Sequence, residues 1–268
     1  MESALASGLL SVLWKGAATA AVMVAAGRLA LRLGPLLTGV LISIPLNAGP
    51  GFFILSFNVD GAFLAEAGLF GFAVAGPVLL FSAVTARLLV IGRLLPALLG
   101  GAAVWAGVVW LLTLVEMSIW WAGLSILVCG LISWRVGRLP AGTPAMKDVG
   151  VPAGWRFLLL RSTLAGGVIA GAATVGPYLA PFWSGLLFGF PTNLCANLWM
   201  LNGHYGGVFA ARALLASRVN QSAYATLCVT LWIVGPSLSA PLAVVVAFIA
   251  GMAVAAVVAL AFHRRTRG

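Results

Sequence analysis

The chain has 268 residues, of which 62% are apolar and only 7% charged, with a mean hydropathy of +1.12. A soluble domain carries about 25% charged residues, so a water-facing globular fold is excluded, and the same apolar content excludes disorder. The net charge of +10 would point to nucleic acid in a soluble chain; here it reports how basic residues divide between two membrane faces, and no nucleic-acid partner is expected.

A span needs about 20 mostly apolar residues to cross a hydrocarbon core of roughly 30 Å. Candidates fall at 8–31, 36–57, 62–90, 95–115, 117–134, 157–177, 179–201, 208–235 and 241–262. The first is not a signal peptide, because it lacks a basic leader, carries Glu2 and holds Lys15 inside the apolar run. The breaks fall at Gly34-Pro35, Asp60-Gly61, Arg93, Glu116, Pro177, Gly206-Gly207 and Gly235-Pro236, where Gly and Pro are ordinary punctuation. The stretch 135–154 is the one long polar loop. Cys129, Cys195 and Cys228 lie in apolar runs without a CxxC and read as small core residues.

Charge placement fits nine spans. One face then collects Glu2, Asp60, Glu66 and Glu116, while the other collects 14 of the 15 basic residues and Asp148. Lys/Arg-rich loops are cytoplasmic, which puts the N-terminus outside and the C-terminus in the cytoplasm. The expected localisation is a cell membrane, multi-pass, of bacterial inner-membrane type.

Comparing the chain with itself reveals a repeat offset by 146 residues. Segment 33–47 aligns with 179–193, matching Pro35 with Pro181, Gly39 with Gly185, Pro45 with Pro191 and Asn47 with Asn193. The register continues through Lys15/Arg161, Gly61/Gly207, Phe63/Phe209 and Glu66/Arg212, with 14 identities in the 57 positions from 15 to 71. The predicted fold is therefore all-α: a polytopic helical membrane protein with two four-span repeats, 1–115 and 155–268. A linking span and cytoplasmic loop, 116–154, joins them. Four spans plus one extra invert the second copy, a plan common among secondary transporters; parallel duplicated bundles are the alternative.

The second copy, with Arg161, Gly-Leu-Leu-Phe-Gly-Phe-Pro-Thr at 185–192, Gly207 and Arg212, resembles the small four-span GlpM-type membrane proteins. The 24-residue spacing of Lys15 from Gly39, and of Arg161 from Gly185, is similar to that family too. The first copy departs from it at Leu46 and Glu66. The resemblance implies a duplicated GlpM-type architecture and an association with exopolysaccharide production, without a defined chemistry.

Several residues are candidates for substrate binding. Pro45 and Pro191 lie inside spans two and seven, where a proline breaks the hydrogen-bond ladder; Asn47 and Asn193 follow two residues later and can cap the break or hold a ligand. Matched discontinuous helices in inverted halves point to a midplane site, against the plainer reading of two proline kinks. Lys15 and Arg161 are cations at equivalent depths, functional candidates unless they snorkel to the interface. Glu66 and Arg212 are equivalent positions of opposite charge, with Glu66 placed to pair Lys15. Arg161, His204, Arg212 and Arg218 would line a positive inner vestibule that favours an anion or a phosphate headgroup; the bland reading is the positive-inside rule. Arg218, Gln221 and Ser222 have helical spacing and are expected to share a face. His204 reads as a proton-coupling residue or a solvated turn residue. Trp105, Trp110, Trp120, Trp121, Trp134 and Trp155 read as interfacial anchors or packing.

No HExxH, Walker loop, GxSxG or Cys/His cluster occurs. No enzyme activity, catalytic residue, metal or cofactor is expected. The reading is a secondary transporter that moves a small solute, with an anion or a lipid-linked headgroup favoured, by alternating access. The alternatives are a non-catalytic assembly subunit of an envelope polysaccharide system and a passive channel. Expected partners are the lipid bilayer and the solute, with a homo-oligomer left open.

Overall fold

The computed structural model describes residues 48–140, Thr143 and 155–267, with Ala17, Ala21 and Val24 before them. Among the described residues the secondary structure is helical throughout. The helices are α1 (Ala48–Leu55), α2 (Gly61–Ile91), α3 (Leu94–Thr113), α4 (Ile119–Val136) and α5 (Trp155–Val175), then α6 (Pro181–Gly189), α7 (Thr192–Tyr205), α8 (Gly207–Ala216), α9 (Gln221–Val234) and α10 (Ala240–Arg267). Short 3₁₀ turns follow α5, α8 and α9. Among the described residues, four helices are long and apolar enough to cross a membrane: α2, α3, α4 and the 240–258 part of α10. By length and composition the chain is an all-α membrane protein.

Spans 62–90, 95–115 and 117–134 reappear as α2, α3 and α4 within two residues, and 157–177 and 241–262 as α5 and α10. Span 8–31 lies outside the described residues apart from Ala17, Ala21 and Val24, and 36–57 lies outside them up to Asn47. Span 179–201 is interrupted, as its proline predicts, and so is 208–235, which reads in sequence as one continuous span. The first breaks at Phe190-Pro191. The second breaks at a 3₁₀ turn, Ser217–Asn220. There the Ser217 hydroxyl donates to Leu214 O (2.8 Å) and the Arg218 Nε to Leu215 O (3.1 Å), side-chain bonds that compete with the regular ladder.

At the centre of the bundle, α2 packs against α3, α4, α6, α8 and α9. Asp60 starts it by accepting from Phe63 N–H at 2.8 Å, an N-cap that satisfies one orphan donor. Its 31 residues span about 46 Å at 1.5 Å per residue, more than the hydrocarbon core, so α2 tilts or projects beyond it.

Pro77 sits at the middle of α2 and has no N–H to give the Ala73 carbonyl. The Ser125 hydroxyl of α4 donates to that carbonyl instead, at 2.9 Å. About two turns on along α4, Ser133 Oγ donates to Leu79 O at 2.8 Å. The α4 face that makes these bonds is a stripe of small residues, Ala122, Ser125, Cys129 and Ser133, all buried. Small residues let membrane helices approach closely. The opposite face exposes Trp120, Leu124, Leu127, Leu131 and Trp134, as a lipid-facing surface would. Ser125→Ala is expected to cost about 1 kcal/mol, the price of an orphaned buried carbonyl, read as a lower unfolding midpoint in detergent; Ser222→Ala, on an exposed site, should leave the midpoint unchanged.

Helices α2 and α8–α9 run antiparallel with reciprocal ends. A Cβ on Gly61 would collide with the Gly235 carbonyl, and one on Gly235 would stand 2.6 Å from the Gly61 carbonyl. At the other end, a Cβ on Gly207 would stand 2.9 Å from Leu89 O. Gly61 and Gly207 are 146 residues apart, as are Leu89 and Gly235, so the two contacts exchange under the sequence offset. Helix starts obey it as well: α2 and α8 begin at 61 and 207, α3 and α10 at 94 and 240. The cores follow suit. Ala97, Leu198 and Ala210 pack in one cluster with Leu194 and Leu201 against it, and their counterparts Ala243, Phe52, Leu64, Ala48 and Leu55 pack together in another.

Charge divides between the two ends of α2. Asp60 and Glu66 stand at its start, and Glu116 just before α4. Arginines gather at the other end, around the C-terminus of α4. Arg218 Nη1 donates to Ser133 O (2.8 Å) and Oγ (3.1 Å), Arg87 Nη1 to Arg138 O (3.3 Å), and Arg212 Nη2 to Thr143 O (2.7 Å). Cations are favourable at a helix C-terminus, and Arg138 itself stacks over Trp134 at 4.1 Å.

Candidate solute site at the broken helix

The break between α6 and α7 is an inverse γ-turn. Phe190 is extended (φ −66°, ψ 133°), as the residue before a proline prefers. Pro191 has φ −78° and ψ 45°, near the inverse γ minimum, and Thr192 N–H donates back to Phe190 O at 2.8 Å. Helical bonding resumes with Cys195 N–H to Pro191 O at 3.0 Å. Two carbonyls lose their helical donors in consequence. Leu187 O faces a proline nitrogen, and the Thr192 N–H that would serve Phe188 O is turned to Phe190. The N-cap of α7 is Pro191, which supplies no side-chain cap.

The break lies at mid-depth. Gly189 abuts Val74, thirteen residues into α2, and a Cβ there would stand 2.8 Å from Val74 Cγ1 and 3.0 Å from Tyr224 Oη. Pro77 is one turn further along α2, so a satisfied break and an uncapped one share a level of the bundle. Trp105, twelfth of the twenty residues in α3, packs its ring edge-to-face with Phe190 at 4.9 Å and shares a cluster with Leu194 and Cys195 of the first turn of α7. On the other side, Phe188 meets Phe52 of α1 at 4.8 Å.

Of the residues expected from sequence, Pro191 is buried at the break. Position 193 is the second residue of α7, 161 lies within α5 and 204 in the last turn of α7; the side chains of Asn193, Arg161 and His204 are outside the described ones. Lys15, Pro45 and Asn47 lie outside the described residues. The remainder of span two, α1, packs on α5 and α6, so the chain leaving Asn47 runs beside the first half of span seven. Glu66 is exposed near the start of α2. Arg212 is half-buried, held by Thr143, with its Nε buried and without a partner. These two flank α2 at opposite ends and neither reaches the break.

One expectation is corrected. Arg218, Gln221 and Ser222 form no common helical face: Arg218 belongs to the 3₁₀ turn and bonds to α4, whereas Ser222 is exposed. Of the two readings of Trp105, packing holds: the ring is 7% exposed, at the middle of its helix.

The sequence alone gives Trp105 a packing or anchoring part and singles out nothing at Tyr224. Both are over nine-tenths buried, and neither Trp105 Nε1 nor Tyr224 Oη has a hydrogen-bond partner. The Cys228 thiol lies beside the phenol one turn away, but thiols are weak partners and the pair makes no well-formed bond. Buried tryptophan and tyrosine usually find a partner for their polar atom, so a Trp and a Tyr in the middle of apolar spans are the signal that a closer reading would use.

No protein-family model, curated protein or solved structure matches the chain.

Proposed function

We propose that the protein is a secondary transporter of nine spans, with two inverted four-span repeats, 1–115 and 155–268, joined by a central span and loop. It sits in a cell membrane with its N-terminus outside and C-terminus cytoplasmic, and moves a small solute by alternating access. The observation that carries this reading is the uncapped break at Phe190-Pro191, at mid-depth beside α2. Irregular backbone at membrane depth is tolerated where it is buried in protein or lines a cavity, and transporters place their sites at such breaks. The reciprocal Gly61–Gly235 and Gly207–Leu89 contacts support the inverted arrangement. A two-fold relation makes residue i meet j while the equivalent of i meets the equivalent of j, and antiparallel helices place that axis across the bundle. The arginine and acid ends of α2 support the orientation. The resemblance to GlpM-type proteins fits a duplicated four-span unit.

Flux into proteoliposomes against a panel of anions, with and without a proton gradient, tests transport. Saturable, gradient-sensitive uptake is expected; uptake that never exceeds protein-free vesicles for any solute would exclude it. Cysteine labelling tests the topology. Asp60→Cys is expected to label from outside and a cysteine in the 141–147 loop from the cytoplasm, and labelling of both from one side would overturn it.

A further inference from the structure

We infer that Trp105 and Tyr224, with the first turn of α7, form a binding site for the carboxylate of a small monocarboxylic acid. This rests on the transporter reading for its role but not for its chemistry. The break leaves two carbonyls of α6 without their helical donors, and the other polar groups beside it are hydrogen-bond donors. Trp105 Nε1 is a donor only, Tyr224 Oη donates or accepts, and the uncapped amides at the start of α7 are donors at the positive end of a fourteen-residue helix. The side-chain donors are over nine-tenths buried and unbonded. Trp105 packs over Phe190, Leu194 and Cys195, the residues that frame that first turn. Tyr224 brings its hydroxyl to Gly189 and also to Gly71, where a Cβ would again stand 3.0 Å away. Two positions without side chains thus flank the phenol oxygen.

Donors in excess of those two carbonyls select an acceptor, and the surroundings choose among acceptors. Val74, Phe182, Leu186, Phe190 and Leu194 make the neighbourhood apolar. The charged residues of α2 nearest to Val74, Glu66 and Arg87, stand eight and thirteen residues away, about 12 and 20 Å along the axis. A doubly charged phosphate or sulfate loses too much hydration to enter without a paired cation. A single carboxylate on an apolar body needs only a few neutral donors and a helix terminus, and its body suits the aromatic lining.

The test is equilibrium binding of radiolabelled propionate and benzoate to the purified full-length chain in detergent, with phosphate and sulfate as competitors. Saturable binding of at least one carboxylate is expected, with neither inorganic anion competing. Trp105→Phe and Tyr224→Phe keep ring shape and remove one donor, and each should weaken binding roughly ten-fold, the loss of one hydrogen bond to a charged group. Thr85→Val, at a buried hydroxyl without a partner that faces Gly101, should leave it unchanged. Size-exclusion profiles and unfolding midpoints confirm that the variants fold. Absence of saturable carboxylate binding, unaltered affinity in both variants, or preference for phosphate would each overturn the site. Binding without flux in vesicles would instead remove the transporter reading and leave the site; flux of another solute, indifferent to both substitutions, would remove the site and leave transport.

Discussion

Gly61→Val is expected to lower the stability of the folded protein by about 3 kcal/mol, the upper end of what overpacking costs. The position is tight in a particular way. A Cβ on Gly61 runs into the carbonyl of Gly235, and one on Gly235 would stand 2.6 Å from the Gly61 carbonyl oxygen and 2.9 Å from Ala65 Cβ. A flexible side chain can swing away from a new methyl group, but a backbone carbonyl moves only with its helix. Valine would therefore push the start of α2 from the end of α9, and both are anchored elsewhere: α2 by its Asp60 cap and by Ser125, α9 by its buried face of Ala223, Leu227, Cys228 and Leu231. Gly207→Val repeats the experiment at the other end of α2, where the obstacle is Leu89 O at 2.9 Å. The cost there should be smaller, about 1–2 kcal/mol, because Leu89 is two residues from the end of α2 and the last turn has more room to yield. The two substitutions lie at opposite ends of a long helix and should add. Detergent unfolding curves of the two single variants and the double variant measure this. A wild-type midpoint for Gly61→Val would show that the two helices do not pack at that glycine.

Much of the helical frame was legible, because apolar runs bounded by Asp60-Gly61, Arg93, Glu116 and Gly235-Pro236 mark the ends of α2, α3, α4 and α9 plainly. The division of acids and arginines between the ends of α2 was legible as well, since each turn reverses direction and charges sort by parity. Pro191 announced a break by its covalent structure. The turn at Ser217–Asn220 was not legible, for it has no proline or glycine; it arises where Arg218 reaches across to Ser133 on another helix, a contact 85 residues away in sequence. Arg212 and Arg218 looked like vestibule lining for the same reason. Their sequence neighbours say only that they are basic, while their partners are carbonyls at the end of α4 and beyond. Trp105 and Tyr224 were hidden differently. An aromatic residue in an apolar span satisfies every rule for core packing, and the unbonded polar atom shows only when the neighbours are placed.

Pro191→Ala should sharply reduce transport while leaving stability intact or raised. Alanine restores an N–H that can serve Leu187 O, and it frees Phe190 from the extended conformation that a following proline imposes. Thr192 N–H can then return to Phe188 O, the ladder closes, and α6 and α7 become one helix. In a helix interior alanine is favoured over proline by about 3 kcal/mol, so part of that difference should appear as a higher unfolding midpoint, offset by any displacement of Phe190 from Trp105. The continuous helix would have no free first turn at mid-depth, no positive helix end aimed at the bundle interior, and no pair of unserved carbonyls. If the break holds the solute, flux of the transported anion should fall at least about ten-fold, the loss of one or two charge-assisted hydrogen bonds, with protein yield and size-exclusion profile unchanged. Trading stability for a strained functional element is a common pattern, and a variant that is both more stable and less active is its signature. A variant with unaltered flux would mean that Pro191 is a packing kink and that the solute crosses elsewhere.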